Sequence, residues 1–222
     1  METLCRQAAV KLVKGEQKSI SVGVKRLKEF LGRKKIYHDV RMQEPQAGVV
    51  TGLAWTSAGG EILFIETSRT RGEGKVQITG QLGDGMKESV QIALTLVKSM
   101  FPEEAEILNE SDIHIHVPAG AVPKDGPSAG ITIVTALTSM LKEKGISPEY
   151  AMTGEVSLRG GVMPIGGLPE KLMAAQRAGI RTVFIPYENR EDLEDVADEV
   201  KEDLTIIPVK RIEEVLQKTN LI

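Results

Sequence analysis

The sequence predicts an α/β (α+β) fold in which helices pack on a mixed β-sheet, preceded by a short helical segment. From about residue 45, apolar runs of strand length alternate with runs of helical periodicity, and Gly-rich turns separate the first strands. Alternation of this kind argues for layers of helices around a sheet. The chain has 222 residues and is 41% hydrophobic, so it is long enough to bury a proper core.

Residues 1–40 are predicted to form a helical segment separate from a domain at 41–222. Two runs have apolar residues at helical spacing: Leu4, Cys5, Ala8, Ala9, Leu12 and Val13, and then Val24, Leu27, Phe30 and Leu31. Gly32 is a typical helix terminator and ends the second run. These helices are not long enough to form a domain of their own.

The remaining elements follow in order along the chain. Strands are predicted at Val49–Thr56, Glu61–Ser68, Lys75–Gly80, 112–117, 152–158, 182–186 and 204–208. Helices are predicted at Lys87–Met100, 128–143, 168–178, 190–200 and 211–218.

Composition excludes several functional classes. One cysteine gives no disulfide framework, and the sequence has neither a signal peptide nor an apolar run long enough to cross a membrane. A cytoplasmic location is therefore expected, with no membrane partner. The formal net charge of −3 gives no global reason to expect nucleic-acid binding.

The sequence also lacks a phosphate-binding loop of the form Gly-x-x-x-x-Gly-Lys-[Ser/Thr]. The run Gly72-Glu73-Gly74-Lys75 has neither the spacing nor the hydroxyl residue of that motif. We therefore expect no ATP hydrolysis and no cofactor in this chain.

Ser128 is the first candidate for chemistry. Gly126 and Pro127 break the preceding structure, and the apolar run 131–141 predicts a buried helix that Ser128 would cap. A hydroxyl there lies beside unpaired backbone N–H groups and the positive end of the helix dipole, which together can hold an oxyanion. The same position is also common for a serine that only caps a helix.

Lys171 is the second candidate. Pro169 suits a first helical turn, and Leu168, Leu172, Ala175 and Ala178 recur at helical spacing. A lysine in that turn opposes the helix dipole, and burial would add to the effect, so both favour the neutral amine of a general base. The alternative is an ordinary solvated lysine on a helix surface.

Several separate segments resemble the proteolytic domain of Lon protease, of the bacterial LonA type, and they follow one another along the chain in the family's order. They are the run Pro-Lys-Asp-Gly-Pro-Ser-Ala-Gly at 123–130, Met-Thr-Gly-Glu-Val-Ser-Leu-Arg-Gly at 152–160, Pro-Ile-Gly-Gly-Leu-Pro-Glu-Lys-Leu-Met-Ala-Ala at 164–175, Gly-Leu-Ala-Trp-Thr at 52–56, and Met86 to Ser89. The likeness is strongest over about 45–187. It implies a Lon-like fold and a serine endopeptidase in which Ser128 is the nucleophile and Lys171 its base, acting through an acyl-enzyme.

The resemblance also implies supporting residues. Thr153 matches a threonine that hydrogen-bonds the catalytic lysine, and Asp125 matches an acidic residue whose loop changes between inactive and active arrangements. Separately from the resemblance, the cap geometry makes backbone N–H groups around Asp125 to Ser128, with Gly126 between them, the expected oxyanion donors. Glu66, His114 and His116 match polar positions near the family's site.

The two histidines have alternative interpretations. The period of two in 112–117 puts His114 and His116 on one strand face, where they could bind zinc with a third ligand or be hydrogen-bonded strand residues. The sequence has one other histidine, His38. We expect no metal. A Ser-His-Asp triad would have to use this strand.

For the whole protein the resemblance implies an ATP-dependent, hexameric protease of unfolded or damaged proteins, with ATP and magnesium used by an ATPase module. Residues 1–40 would then be the tail of that module and a linker, and the chain would follow the nucleotide site. Two alternatives remain: a noncatalytic Lon-like oligomerisation platform, and a GHMP-type small-molecule kinase whose glycine-serine loop looks somewhat like 119–130.

Overall fold

The structure is a computed structural model that describes residues 2–15, 19–32, 40–56, 59–118 and 123–222. The chain divides into two compact units, Met1–His38 and Asp39–Ile222. The assignment of residues 1–40 to the tail of an ATPase module stays a prediction.

In the first unit, α1 spans Glu2–Val13, a 3-10 turn spans Val24–Arg26, and α2 spans Leu27–Leu31. Both helices occur where the apolar spacing predicts them. Phe30 is buried, and the cationic groups of Lys11 and Arg26 lie over its ring at 4.8 and 5.2 Å from the centroid.

A mixed sheet forms the second unit, as the sequence predicts. Within the described part of the chain, its seven strands are β1 Val49–Thr56, β2 Gly59–Arg71, β3 Val76–Thr79, β4 Ser111–His116, β5 Tyr150–Met152, β8 Thr182–Pro186 and β9 Thr205–Val209. They lie in the order β3-β4-β2-β1-β5-β8-β9. The β1–β2 and β2–β4 pairs are antiparallel, and the other neighbours are parallel. A small hairpin of β6 Glu155–Val156 and β7 Val162–Met163 stands outside this sheet.

Helices cover both faces of the sheet, since alternate strand residues point to opposite sides. The helices are α3 Asp84–Met100, α4 Pro102–Asn109, α5 Gly130–Leu141, α6 Leu168–Ala178, α7 Asp198–Asp203 and α8 Ile212–Lys218. One apolar core joins Val50 and Phe184 of the sheet to α3, α5 and α8. The second core joins Leu53 and Val183 to α6 and α7. The helices that follow Ser128 and that carry Lys171 therefore lie on opposite faces.

The structure differs from the sequence prediction in three elements. Helix α4, with Pro102 in its first turn, was not predicted. The single strand predicted at 152–158 is two strands, because the chain leaves the sheet after Met152 and pairs again as β6.

The continuous helix predicted at 190–200 is wrong. Residues Tyr187–Asp195 form 3-10 turns, and α7 begins only at Asp198. Four of the five residues at 191–195 are acidic, and like charges on one helix surface disfavour a regular helix. No helix among the described residues combines the length and the apolar character needed to span a bilayer.

Candidate active site

A groove of about 580 Å³ lies where the end of β1, the loop 123–129 and the start of α6 meet. Ser128 and Lys171 both line it, as do Asp125 and Gly126. The structure thus brings together four of the residues that the sequence selects. Apolar side chains form much of the remaining wall, among them Leu53, Phe64, Met86 and Ile165.

Ser128 lies in a 3-10 turn, Pro127–Ala129, and is partly exposed. The expectation that Ser128 caps the following helix is wrong, because α5 begins at Gly130 with Ala129 at the cap position. The Ser128 carbonyl instead accepts hydrogen bonds from the backbone N–H of Gly154 at 2.8 Å and from the Thr153 hydroxyl at 3.3 Å. These bonds fix Ser128 at the edge of the groove, two residues before the first residue of α5.

Lys171 lies in the first turn of α6 and is 2% exposed. Gly167 precedes the helix in the left-handed conformation, at φ +69°, and Pro169 stands in the first turn, as Pro commonly does. Burial lowers the pKa of the Lys171 amine from its ordinary value of 10.5 to about 8. The lysine is therefore buried rather than solvated, and about a tenth of its amine is neutral at pH 7.

Thr153 connects these two parts of the site. It is fully buried and follows directly after β5, and its backbone N–H donates to the Phe184 carbonyl of β8 at 3.1 Å. Lys171 Nζ donates to Thr153 Oγ1 at 3.1 Å, and the same hydroxyl donates to the Ser128 carbonyl. The contact between Thr153 and the lysine that the resemblance implies is present.

Asp125 lies at the N-terminus of α3. Its Oδ1 accepts hydrogen bonds from the backbone N–H groups of Gly126 at 2.7 Å and Met86 at 3.1 Å. These N–H groups hold the pKa of the carboxyl below its ordinary range. Gly83, at the cap position of α3, leaves the space for it, because a Cβ there would lie 2.2 Å from Asp125 Cγ. Asp125 thus caps α3 from a distant part of the chain.

Gly126 has φ +104°, a conformation that favours glycine. Because its N–H already donates to Asp125, this amide can serve an oxyanion only after the carboxylate releases it. The donor role expected for Gly126 therefore depends on the position of Asp125.

The histidines and Glu66 do not reach the groove. His114 and His116 share one face of β4, as the period of two predicts, and Thr79 Oγ1 lies 2.8 Å from His114 Nε2 and 2.7 Å from His116 Nδ1. Glu66 is opposite His116 in the β2–β4 ladder. Across the described ranges, no cluster of three His, Cys, Asp or Glu residues is placed to hold a metal ion. His38 lies outside those ranges.

Trp55, Glu61 and Lys124 are among the residues that line the groove but were not selected from the sequence. Burial lowers the pKa of the Lys124 amine, and Glu61 opposes this effect. Their positions depend on how β1 and β2 meet the loop at 123–129, a long-range contact with no local signal. Trp55 and Lys124 lie within motifs that resemble the Lon family, and this was the one sequence signal that could have indicated a place in the site.

A serine hydroxyl and a buried amine in one groove are the groups that a peptidase with a serine nucleophile and a lysine base uses. The family model described as the Lon protease (S16) C-terminal proteolytic domain matches residues 21–221. The chain belongs to this family of peptidase domains, which argues against the small-molecule kinase alternative.

Known relatives agree with this assignment. The chain is 54% identical over 218 residues to a Lon protease of Clostridium beijerinckii, covering 98% of this chain and 27% of the relative. It is 48% identical over 220 residues to Lon protease 1 of Bacillus subtilis, covering 98% of this chain and 28% of the relative. A Lon protease of Methanosarcina barkeri is 53% identical over 194 residues, covering 86% of this chain and 24% of the relative. The chain thus spans about a quarter of the length of these relatives.

Proposed function

We propose that this chain is a serine endopeptidase domain in which Ser128 is the nucleophile and Lys171 is the general base. One observation carries the proposal: the buried Lys171 amine shares a groove with Ser128 and is held by Thr153, whose hydroxyl also binds the Ser128 main chain. Because the amine and the serine are held in one groove, the proton can pass between them without the two groups first having to meet by diffusion.

The chemistry follows from the protonation state of the amine. Neutral Lys171 donates one N–H to Thr153 and keeps a lone pair that accepts the Ser128 hydroxyl proton. Ser128 Oγ then attacks the peptide carbonyl carbon, and the protonated lysine returns a proton to the leaving amine. Water hydrolyses the resulting acyl-enzyme by the same route and releases the carboxyl product. Backbone N–H groups of the loop 125–128 stabilise the oxyanion, that of Gly126 only after the Asp125 carboxylate has released it.

Substrate binding uses β1 where it runs past its ladder with β5. In the described ladders, β5 pairs with β1 at Thr51 and Gly52, and the next residues, Leu53 and Ala54, line the groove. The peptide groups of this last part of β1 lie beside the groove and can pair with an extended polypeptide. Such pairing favours unfolded or flexible chains, because most backbone N–H and C=O groups of a folded domain are already hydrogen-bonded within it.

The properties of the whole protein are part of the same proposal. The family resemblance supports a cytoplasmic, ATP-dependent protease that degrades unfolded or damaged proteins. In that protease, an ATPase module with ATP and magnesium delivers substrate to a homo-oligomer, a hexamer, of this domain. Residues 1–40 would then be the helical tail of the ATPase module and its linker, and no nucleic acid or membrane partner is expected.

The decisive experiment uses a serine-reactive phosphonate probe. We expect covalent labelling of the unmodified chain at Ser128, detected by peptide mass spectrometry, and no labelling of Ser128→Ala or Lys171→Arg. The matched control is Ser147→Ala, which removes a hydroxyl that accepts from the Glu149 N–H at 3.2 Å and that lies outside the groove. Labelling that persists in Ser128→Ala would remove Ser128 from the mechanism. An unlabelled parent chain would favour the noncatalytic platform.

ATP dependence needs a separate assay. Since the sequence holds no phosphate-binding loop, the chain should cut a flexible peptide without nucleotide and leave a stably folded protein intact. A tightly folded substrate and its permanently unfolded variant are each incubated with and without ATP and magnesium. Faster loss of the folded substrate on adding ATP would contradict the division of labour proposed here.

A further inference from the structure

The first turn of α6 rests on the end of the β1–β2 hairpin. Trp55 and Gly60 are directly opposite each other in the antiparallel ladder of these strands. Gly60 touches the turn from the strand backbone, because a Cβ there would lie 1.9 Å from the Glu170 carbonyl oxygen and 3.0 Å from the Lys171 nitrogen. Only a glycine allows the helix to approach the strand so closely.

The Trp55 side chain touches the same turn at its other end. A Cβ on Gly167 would lie 2.8 Å from Trp55 Cγ and 3.0 Å from Trp55 Cδ2, so the ring packs on the residue that immediately precedes the helix. Trp55 is nevertheless 59% exposed and lines the groove. A large aromatic side chain in this setting covers the helix start rather than filling a core.

Two hydrogen bonds extend the contact. The backbone N–H of Lys171 donates to the Gly167 carbonyl at 3.1 Å, so the residue under the Trp55 ring is bonded directly to the lysine main chain. Further along the helix, the Arg177 guanidinium donates to the Gly60 carbonyl at 2.7 Å. The hairpin end is therefore linked to α6 near Gly167, at Glu170 and through Arg177.

We propose that Trp55 and Gly60 are positioning residues that seat the first turn of α6 and thereby hold the Lys171 amine at the groove beside Ser128. This inference rests on the proposed function, because it assigns to these residues the placement of its general base. Neither residue takes part in proton transfer. We call the contact of Trp55 and Gly60 with the first turn of α6 the seat. Misplacement of a reacting group by about 1 Å can cost about 100-fold in rate, so weakening the seat has a large effect on the rate of hydrolysis.

The seat also predicts how the pKa of Lys171 responds when the contact of the first turn with the hairpin is weakened. A first turn that moves off the hairpin admits water to Lys171, and the desolvation that lowers its pKa to about 8 is then relieved. The pKa of the amine should rise toward 10.5. A residue that only touches substrate leaves this value unchanged, which separates the two roles.

The test compares Trp55→Ala, Trp55→Phe and Gly60→Ala with the parent chain. Peptide hydrolysis gives kcat and KM across pH, and NMR of chains labelled with ¹³C at lysine Cε gives the titration of Lys171, assigned by its absence in Lys171→Met. We expect Trp55→Ala to lower kcat by about 10- to 100-fold and to raise the titration midpoint of Lys171. Trp55→Phe, whose ring still covers Gly167, should restore most of both. The matched control is Met173→Ala, an exposed side chain on the same helix that does not line the groove.

Gly60→Ala should show the same upward shift, and if it fails to fold the two Trp55 variants still decide the matter. A Trp55→Ala chain with a higher KM, an unchanged kcat and an unchanged Lys171 titration would overturn the inference, since Trp55 would then only contact substrate. If the parent chain lacked peptidase activity, the proposed function would fail, while the NMR titration would still test the seat.

Discussion

Lys171 Nζ donates a hydrogen bond to Thr153 Oγ1 over 3.1 Å inside the protein, where both side chains are buried. The bond orients an amine whose pKa burial has lowered to about 8, and it points the remaining valences of the nitrogen away from Thr153. On the proposed mechanism these are the two requirements of a general base: a neutral form near working pH and a fixed direction for its lone pair.

The rate of peptide hydrolysis should rise with pH through one ionisation near pH 8 and level off above about pH 9, because activity needs the neutral Lys171 amine. Lys171→Arg should be inactive, since a guanidinium stays protonated throughout. The measurement is kcat/KM for a fluorogenic peptide from pH 6 to 10.5. A rate that kept climbing to pH 10.5 would show an amine without a lowered pKa.

Lys171→Met should stabilise the fold near neutral pH while abolishing activity. The folded-state pKa of this amine is lower than the unfolded one, so its burial costs most below pH 8 and nothing above about pH 10.5. A difference of about 2.5 pKa units corresponds to about 3 kcal/mol, and loss of the Thr153 hydrogen bond reduces the gain to about 1 to 3 kcal/mol.

Denaturant unfolding at pH 7 and pH 10 measures this gain, which should shrink at the higher pH. The control is Lys218→Met, an exposed position whose substitution should change the unfolding free energy by less than about 0.5 kcal/mol. Equal stabilisation by Lys171→Met at both pH values would indicate a packing effect instead.

Thr153→Val should lower kcat by about 10- to 100-fold, because it removes the acceptor for Lys171 and the donor to the Ser128 carbonyl while keeping the side-chain shape. Thr153→Ser keeps the hydroxyl and should retain most activity. Thr135→Val is a matched control, since it removes a buried hydroxyl that donates only to its own helix at Ile131. Similar losses of kcat in both valine variants would mean that Thr153 acts through stability alone.

Asp125→Leu should release the loop that carries Ser128 from the N-terminus of α3, because it removes the acceptor for the Met86 and Gly126 N–H groups. Asp125→Asn keeps an acceptor oxygen and should hold the loop. Hydrogen exchange at the Met86 amide reports the difference, with loss of protection expected in the leucine variant only. Asp112→Leu breaks a comparable turn at Glu73 and Lys75 and should leave Met86 protected.

The elements that the sequence predicted well are those with a strong local period. The strand β1 and the helix α6 have the bounds that their apolar spacing indicates, and the alternation in β4 put both histidines on one face. The predictions that failed depended on tertiary contacts. The local sequence indicates that Ser128 caps a helix. In the structure its carbonyl accepts hydrogen bonds from Thr153 and Gly154, and the helix begins only at Gly130.

The candidate site shows the same difference between features with a local sequence signal and features that depend on tertiary contacts. The pairing of Ser128 and Lys171 came from two local motifs and the family resemblance, and the groove contains both residues. Burial of Lys171 could be proposed from helical spacing, whereas the seat formed by Trp55 and Gly60 could not, because it depends on a strand pair more than 100 residues before the helix. Glu66, His114 and His116 matched family positions yet lie away from the groove.

The separation of the two helices by the sheet has a consequence during synthesis. Ser128 belongs to one layer and Lys171 to the other, and Thr153 joins them only when β8 is in place to bind its backbone N–H. On the proposed mechanism, a chain still leaving the ribosome carries its serine long before it carries an aligned base. On that mechanism, hydrolysis would begin only after the fold is complete, and neither the unfinished chain nor its unfolded neighbours would be cut early.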